Sequence, residues 1–165
     1  MTREQKIIYL AGLFDGEGCV GLYNTRTKID RRAAHYQLLV RVTQKVPYAV
    51  EMLLEVFGGR VYTLSDVGPS KPGPYFSWRA VGQKAENALR ELLPYLMEKK
   101  SQAELAIEFQ EFRREQNIAS KTRTSGNQRL TTQELDLRDE YVNKMKALKQ
   151  NKFGLDYFAS TSGNQ

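Results

Sequence analysis

The stretch YLAGLFDGEG, residues 9–18, joins an apolar segment to two carboxylates and carries three glycines. With the residues before it, KIIYLAGLF at 6–14 reads as a short helix that is apolar nearly all round. A surface helix has a polar face, so this one is expected to be covered on both sides. Gly12 and Gly16 lie four apart, on one face of a helix, where the missing side chains permit another backbone to approach closely. Glycine inside a helix costs about 0.5–1 kcal/mol relative to alanine, and close approach would offset it. The alternative is that the two glycines simply end a short helix. Asp15 and Glu17 fall where this helix runs into the first strand. Carboxylates beside so apolar a segment need a cation, hydrogen-bond donors or water. On a plain structural reading Asp15 would satisfy backbone N–H groups and Glu17 would point to solvent.

Outward from this stretch, residues 18–28 and 35–43 alternate with period two, the mark of half-buried strands. Val20, Leu22, Leu38, Val40 and Val42 fall on one face. Tyr23, Thr25, Thr27, Gln37, Arg41 and Thr43 fall on the other. The basic stretch TRTKIDRRA connects the two strands. Pro47 begins a helix over 47–57 that Gly58-Gly59 ends. A second hairpin follows, with strands at 60–65 and 75–81 joined through GPSKPGP. In it Phe76, Trp78 and Ala80 face inward, and Tyr75, Ser77 and Arg79 outward. Helices are expected at 82–93 and 99–116, then a polar loop. A last helix, capped by Thr131 or Thr132 with Glu134 in a capping box, runs to about residue 150.

The expected fold is therefore α+β: helix, two strands, helix, two strands, helix, with extra C-terminal helices. Four antiparallel strands carry helices on one face and leave the other wet. Residues 1–150 form a single domain, and 151–165 are read as a mobile tail.

Of 165 residues 41% are hydrophobic, enough to bury a core, so wholesale disorder is excluded. No apolar run reaches the roughly 18 residues of a membrane span, and the N-terminus does not read as a signal peptide. Cys19, the one cysteine, excludes an intrachain disulfide and a cysteine-based zinc site. His35, the one histidine, has no neighbours that suggest a triad or a metal cluster.

The net charge is +6, with a pI of about 9.4. Its distribution says more than its size. Residues 26–45 hold six basic side chains against one acid, and residues 113–152 hold ten against five. The wet sheet face would present Tyr23, Thr25, Thr27, Gln37, Arg41, Thr43, Arg60, Tyr62, Tyr75, Ser77 and Arg79, without one acid. Lys28, Arg31, Arg32, Lys121 and Arg123 flank it as further basic contacts. These types bond base edges and phosphates, and a twisted antiparallel ribbon fits the major groove. Double-stranded DNA is the expected partner; solvated basic surfaces are the plainer reading.

Residues 10–18, LAGLFDGEG, resemble the motif of the LAGLIDADG homing endonucleases, matching at Leu10, Ala11, Gly12, Leu13, Asp15 and Gly18. Phe14, Gly16 and Glu17 depart from it. The element order also looks like that family's αββαββα core. One motif copy implies a homodimer in this family. The resemblance implies that Leu10, Ala11, Gly12, Leu13, Asp15 and Gly16 form the motif helix and dimer interface. Glu17 would be the catalytic, metal-binding acid, assisted by the Gly16 carbonyl, and Asp15 would be mainly structural. Gln44, in VTQK at 42–45, would organise solvent, and Lys99 would be the active-site lysine. A basic residue that some relatives carry shortly after VTQK is Tyr48 or a neighbour here, with Arg41 or Lys45 as a substitute.

The implied activity is site-specific, metal-dependent hydrolysis of DNA on a long pseudo-palindromic site, leaving short 3′ overhangs. The implied cofactor is Mg²⁺ or Mn²⁺, with Ca²⁺ binding without supporting cleavage. The alternative on the same fold is a splicing maturase acting on intron RNA, or a DNA-binding protein that has lost cleavage. Either reading places the protein inside a cell, in a prokaryotic cytoplasm or an organelle.

Overall fold

A computed structural model of the protein describes residues 1–25, 35–66, 72–121 and 130–150. The order of elements is α1 (Arg3–Glu17), β1 (Gly18–Thr25), β2 (His35–Gln44), α2 (Tyr48–Phe57), β3 (Arg60–Asp66), β4 (Pro72–Val81), α3 (Gly82–Leu92), α4 (Lys100–Lys121) and α5 (Thr132–Gln150). A 3-10 turn at Leu93–Tyr95 joins α3 to the segment before α4. The strands make one antiparallel sheet in the order β1-β2-β4-β3.

Alternation along the strands sets the two faces. Val20, Val40, Val42, Leu38 and Trp78 are fully buried on one face, against Leu10, Phe14, Leu53, Leu89 and Phe109 from the helices. Residues paired across strands share a face. The register therefore puts Cys19, Gln37, Arg41, Thr43, Tyr62, Ser77 and Arg79 on the opposite one.

Several boundaries differ from those expected. α1 begins at Arg3 because Thr2 and Gln5 form a capping box: Gln5 N–H donates to Thr2 Oγ1 at 3.2 Å, and Thr2 N–H to Gln5 Oε1 at 2.9 Å. The helix also runs to Glu17, which makes that residue its last. β4 starts at Pro72, inside the expected turn, and α4 continues past 116 to Lys121. α5 is capped as its sequence indicates, Thr131 and Glu134 each accepting the other's backbone N–H. Residues 151–165 lie outside the described residues.

Gly59 fixes the second hairpin to the sheet. Its φ of +98° favours glycine, and a Cβ there would stand 2.6 Å from the Arg79 carbonyl oxygen. Beside it, Trp78 Nε1–H donates to the Gly58 carbonyl at 2.7 Å, tying the end of α2 to the centre of the sheet. Among the described residues no helix is long and apolar enough to cross a membrane.

Candidate functional site

The motif helix α1 has two different sides. Ile7, Leu10, Ala11 and Phe14 pack into the core, whereas Ile8 and Tyr9 are each 48% exposed and Gly12, Gly16 and Glu17 are exposed. Full cover was expected from its apolar character; within one chain only one side receives it. Leu10 and Ala11, expected at a dimer interface, belong to the chain's own core. Leu13 and Asp15 are half-buried at the boundary. A Cβ added at Gly12 or Gly16 meets nothing within 4 Å. Nothing among the described residues therefore calls for glycine at either position.

Asp15 faces inward and is occupied. Its two carboxylate oxygens accept the backbone N–H groups of Met97 (2.7 Å) and Lys99 (2.9 Å), just before α4. In return the Lys99 ammonium donates to the Asp15 carbonyl, and Lys99 is only 2% exposed. This exchange clamps the end of the motif helix to the start of α4. Gly18 completes the junction: a Cβ there would lie 2.4 Å from the Phe14 carbonyl oxygen. The chain therefore turns directly from Glu17 into β1, and Cys19 takes the first wet-face position. Gln44 closes β2 opposite Phe76 and is half-buried, and Tyr48, Arg41 and Lys45 are exposed.

Across the wet face the register lines up Cys19, Arg41, Arg79 and Arg60 on β1, β2, β4 and β3 in turn. Three arginines stand on neighbouring strands about 4.8 Å apart, so the rung is about 10 Å wide, close to the ~12 Å major groove of B-DNA. Like charges directly opposite one another destabilise a sheet, so an anion laid across them would relieve the repulsion. No acid shares the rung of Arg41, Arg79 and Arg60 or the adjoining one of Thr43, Ser77 and Tyr62.

Tyr23 and Tyr62 are about 40% exposed beside the rung, and Gln37, Thr43 and Tyr75 are half-buried. Ser77 is different. Expected among the outward contacts, it is 0% exposed, covered by the larger side chains around it. Thr43 Oγ1–H donates to its Oγ at 3.1 Å, and Arg79 Nε–H reaches the same oxygen at 3.4 Å. The Arg79 guanidinium also lies 4.8 Å from the centre of the Tyr62 ring. Ser77 thus braces Arg79 from below. Thr25 and Lys121 end β1 and α4 in the described backbone, while Thr27, Lys28, Arg31, Arg32 and Arg123 lie outside the described residues.

Two groups escaped the sequence reading. Gln83 and Lys84, just past β4, join Arg60, Tyr62 and Arg79 around a recess of about 550 Å³ floored by Leu39 and Val81. Lys84 follows the outward Arg79 and Val81 by only a few residues, and that spacing is the signal that could have found it. Asp139 on α5 accepts hydrogen bonds from Tyr36 OH (2.8 Å) and Asn24 Nδ2 (3.0 Å), anchoring the last helix to β1 and β2. A helix 103 residues away in sequence gives no local sign of that contact.

The oxygen donors at the motif's end suit a hard divalent cation. Glu17 is exposed, and the adjacent Gly16 carries no side chain to obstruct its carbonyl. Among the described residues no three His, Cys, Asp or Glu side chains gather into a metal cage.

No family model matches the sequence, nor does any curated protein. Solved structures match its shape. The homing endonuclease I-CvuI, bound to its target in the presence of Ca, superposes with a TM-score of 0.58 at 19% identity, over 87% of this chain and 96% of that one. The LAGLIDADG homing endonuclease I-LtrWI, bound to target DNA, gives 0.60 at 20% identity, over 83% of this chain but only 43% of its own. The archaeal intron-encoded I-Vdi141I, complexed with DNA, gives 0.54 at 16% identity, over 87% and 98%. The motif at residues 10–18 and the arrangement of the described elements thus lead to the same place: the protein has the fold of the LAGLIDADG homing endonucleases.

Proposed function

We propose that the protein is a site-specific, metal-dependent DNA endonuclease acting as a homodimer. The observation that carries this reading is the exposed side of α1. An apolar stripe of Ile8 and Tyr9 with two unobstructed glycines leads straight to the exposed Glu17. A second copy of the same helix would cover that stripe. The contact would be isologous, so it would bring the two Glu17 carboxylates together at the two-fold axis. The length relations support a two-unit assembly: the chain spans nearly all of I-CvuI and under half of I-LtrWI.

In this reading Glu17 and the Gly16 carbonyl of each chain, with DNA phosphates, would hold Mg²⁺ or Mn²⁺. The ion would supply an activated water and neutralise charge on the phosphoryl oxygens. The chain's own residues do the rest. Asp15 and Lys99 lock the end of α1 so that Glu17 is held in one place. Gln44 would orient water, and the Lys99 charge would stabilise negative charge as it develops. The arginine rung, Tyr23, Gln37, Tyr62 and Lys84 would lie in the major groove. Two-fold symmetry predicts a pseudo-palindromic target cut to short 3′ overhangs.

Selection of cleaved sites from a randomised DNA library with Mg²⁺ tests this reading. The expected result is one enriched pseudo-palindrome. The Glu17→Gln variant should fold, bind that site in Ca²⁺ within about twofold of the parent, and lose cleavage by about 10³-fold or more. Binding without cleavage by the parent protein would favour a regulator or maturase on this fold instead.

A further inference from the structure

Two guanidiniums meet on the seam between α4 and α5 without an opposite charge. Arg138 on α5 is buried, at 5% exposure. Its Nε–H and Nη2–H reach a single acceptor, Gln116 Oε1 on α4, at 3.4 and 3.3 Å. Arg113 lies one turn before Gln116 on α4 and is partly exposed. Its Nη1–H donates to Gln110 Oε1 at 3.1 Å, but its Nε is sealed from solvent and has no acceptor among the described residues. Aromatic rings supply much of the remaining surroundings. The Arg113 guanidinium lies 5.7 Å from the centre of Phe109, and that of Arg138 lies 5.8 Å from the centre of Tyr36.

A guanidinium carries five N–H donors, and a buried charge is costly unless it is paired. Neither arginine makes an ion pair among the described residues. The acids nearby are engaged elsewhere. Glu134, one turn before Arg138, attracts it, yet its carboxylate accepts the Thr131 N–H at the cap of α5. Asp139 accepts from Tyr36 and Asn24, and Glu108 from Tyr141 at 2.7 Å. Burial holds both guanidiniums below their ordinary pKa, and the charge of Arg113 adds to the fall at Arg138. Two cations so placed repel one another and favour an anion between them.

We propose that the α4–α5 seam binds a small tetrahedral oxyanion, inorganic phosphate or sulfate, between the Arg113 and Arg138 guanidiniums. Oxyanions match the planar fork of arginine donors, and Arg113 Nε would gain the acceptor it lacks. Burial of Arg138 suits a free anion better than the backbone of a polymer. Tyr36 belongs to the helix-covered face of the sheet, so the site stands apart from the arginine rung on the opposite face and does not depend on the endonuclease reading. Bound there, the anion would fasten α5 to α4.

The full chain is titrated calorimetrically with sodium phosphate in a chloride buffer containing EDTA, and melted with and without phosphate at matched ionic strength. One saturable site with a Kd of about 1 mM or tighter is expected, and about 20 mM phosphate should then raise the Tm by about 4 °C. Phosphate also stabilises proteins in general by exclusion from their surfaces, so the variants set the baseline. In Arg138→Met and Arg113→Met the saturable site should vanish and the Tm shift should fall by at least half. Arg113→Met alters a partly exposed side chain and decides the matter should Arg138→Met fail to fold. No saturable binding by the parent, or the same Tm shift in the variants, overturns the proposal. So does a loss of duplex DNA affinity in Arg113→Met, which would assign the pair to a nucleic-acid phosphate instead.

Discussion

Ser77 and Trp78 are neighbours on β4, both 0% exposed, on opposite faces of one sheet. Trp78 is buried by the core: it packs among apolar side chains and sends its one donor to the Gly58 carbonyl. Ser77 is buried by the surface: Thr43, Arg79 and Tyr62 close over it, and its hydroxyl holds Arg79 in place. Equal burial thus serves two ends. One residue holds the fold together, and the other orders a guanidinium on the outer face of the sheet.

The sharpest way to break the comparison is at Trp78. Trp78→Ala removes a whole buried indole and its hydrogen bond, and should destabilise by about 3–5 kcal/mol in denaturant melts. A loss under 1 kcal/mol would mean that the sheet is not anchored there.

Glu86 on α3 provides a buried polar residue away from the sheet. Its side chain is 1% exposed and accepts hydrogen bonds from Arg90 (2.8 Å) and Arg114 (2.6 Å). Burial alone would raise its pKa, but the bonds from Arg114 and Arg90 together hold it below the ordinary carboxylate value. Stability from this group is present at pH above the unfolded value of about 4.3, and is lost as pH falls through the lower folded value. Glu86→Gln should cost about 1–2 kcal/mol at neutral pH, since both arginines are partly exposed and can turn to water. It should also flatten the acid limb of a plot of stability against pH. An acid limb as steep as the parent's would place the titration elsewhere.

Ser77→Ala is the gentlest change. It should cost about 0.5–1 kcal/mol, because Thr43 and Arg79 can find water instead. Its effect should appear in recognition. With Arg79 unbraced, cleavage of targets carrying single base changes should become less discriminating at one position in each half-site, at nearly unchanged affinity for mixed-sequence DNA. Unaltered discrimination would reduce Ser77 to a space-filling residue.

Much of this molecule can be read from its chain, because local rules govern it. Period-two alternation at Val20, Leu22, Leu38, Val40 and Val42 determines which sheet face is core, and no long-range information is needed to see it. Gly58-Gly59 marks the end of α2, and Thr131 with Glu134 marks the start of α5. The stretch at residues 10–18 names the fold outright. The Thr2–Gln5 capping box was equally legible, although it lies ahead of the apolar pattern that draws the eye.

Tertiary structure alone decided the rest, since it depends on which elements meet. Spacing along the strands says that Ser77 points outward but not that bulkier neighbours cover it, because cover comes from strands β2 and β3. The sequence shows that residues 6–14 of α1 are apolar nearly all round, yet only packing reveals that Leu10 and Ala11 serve this chain while Ile8, Gly12 and Gly16 stay exposed. Strand pairing, not composition, sets Arg41, Arg79 and Arg60 in one rung. Lys149 Nζ meets Cys19 Sγ at 3.6 Å across 130 residues of sequence, a contact that exists only once the chain is folded.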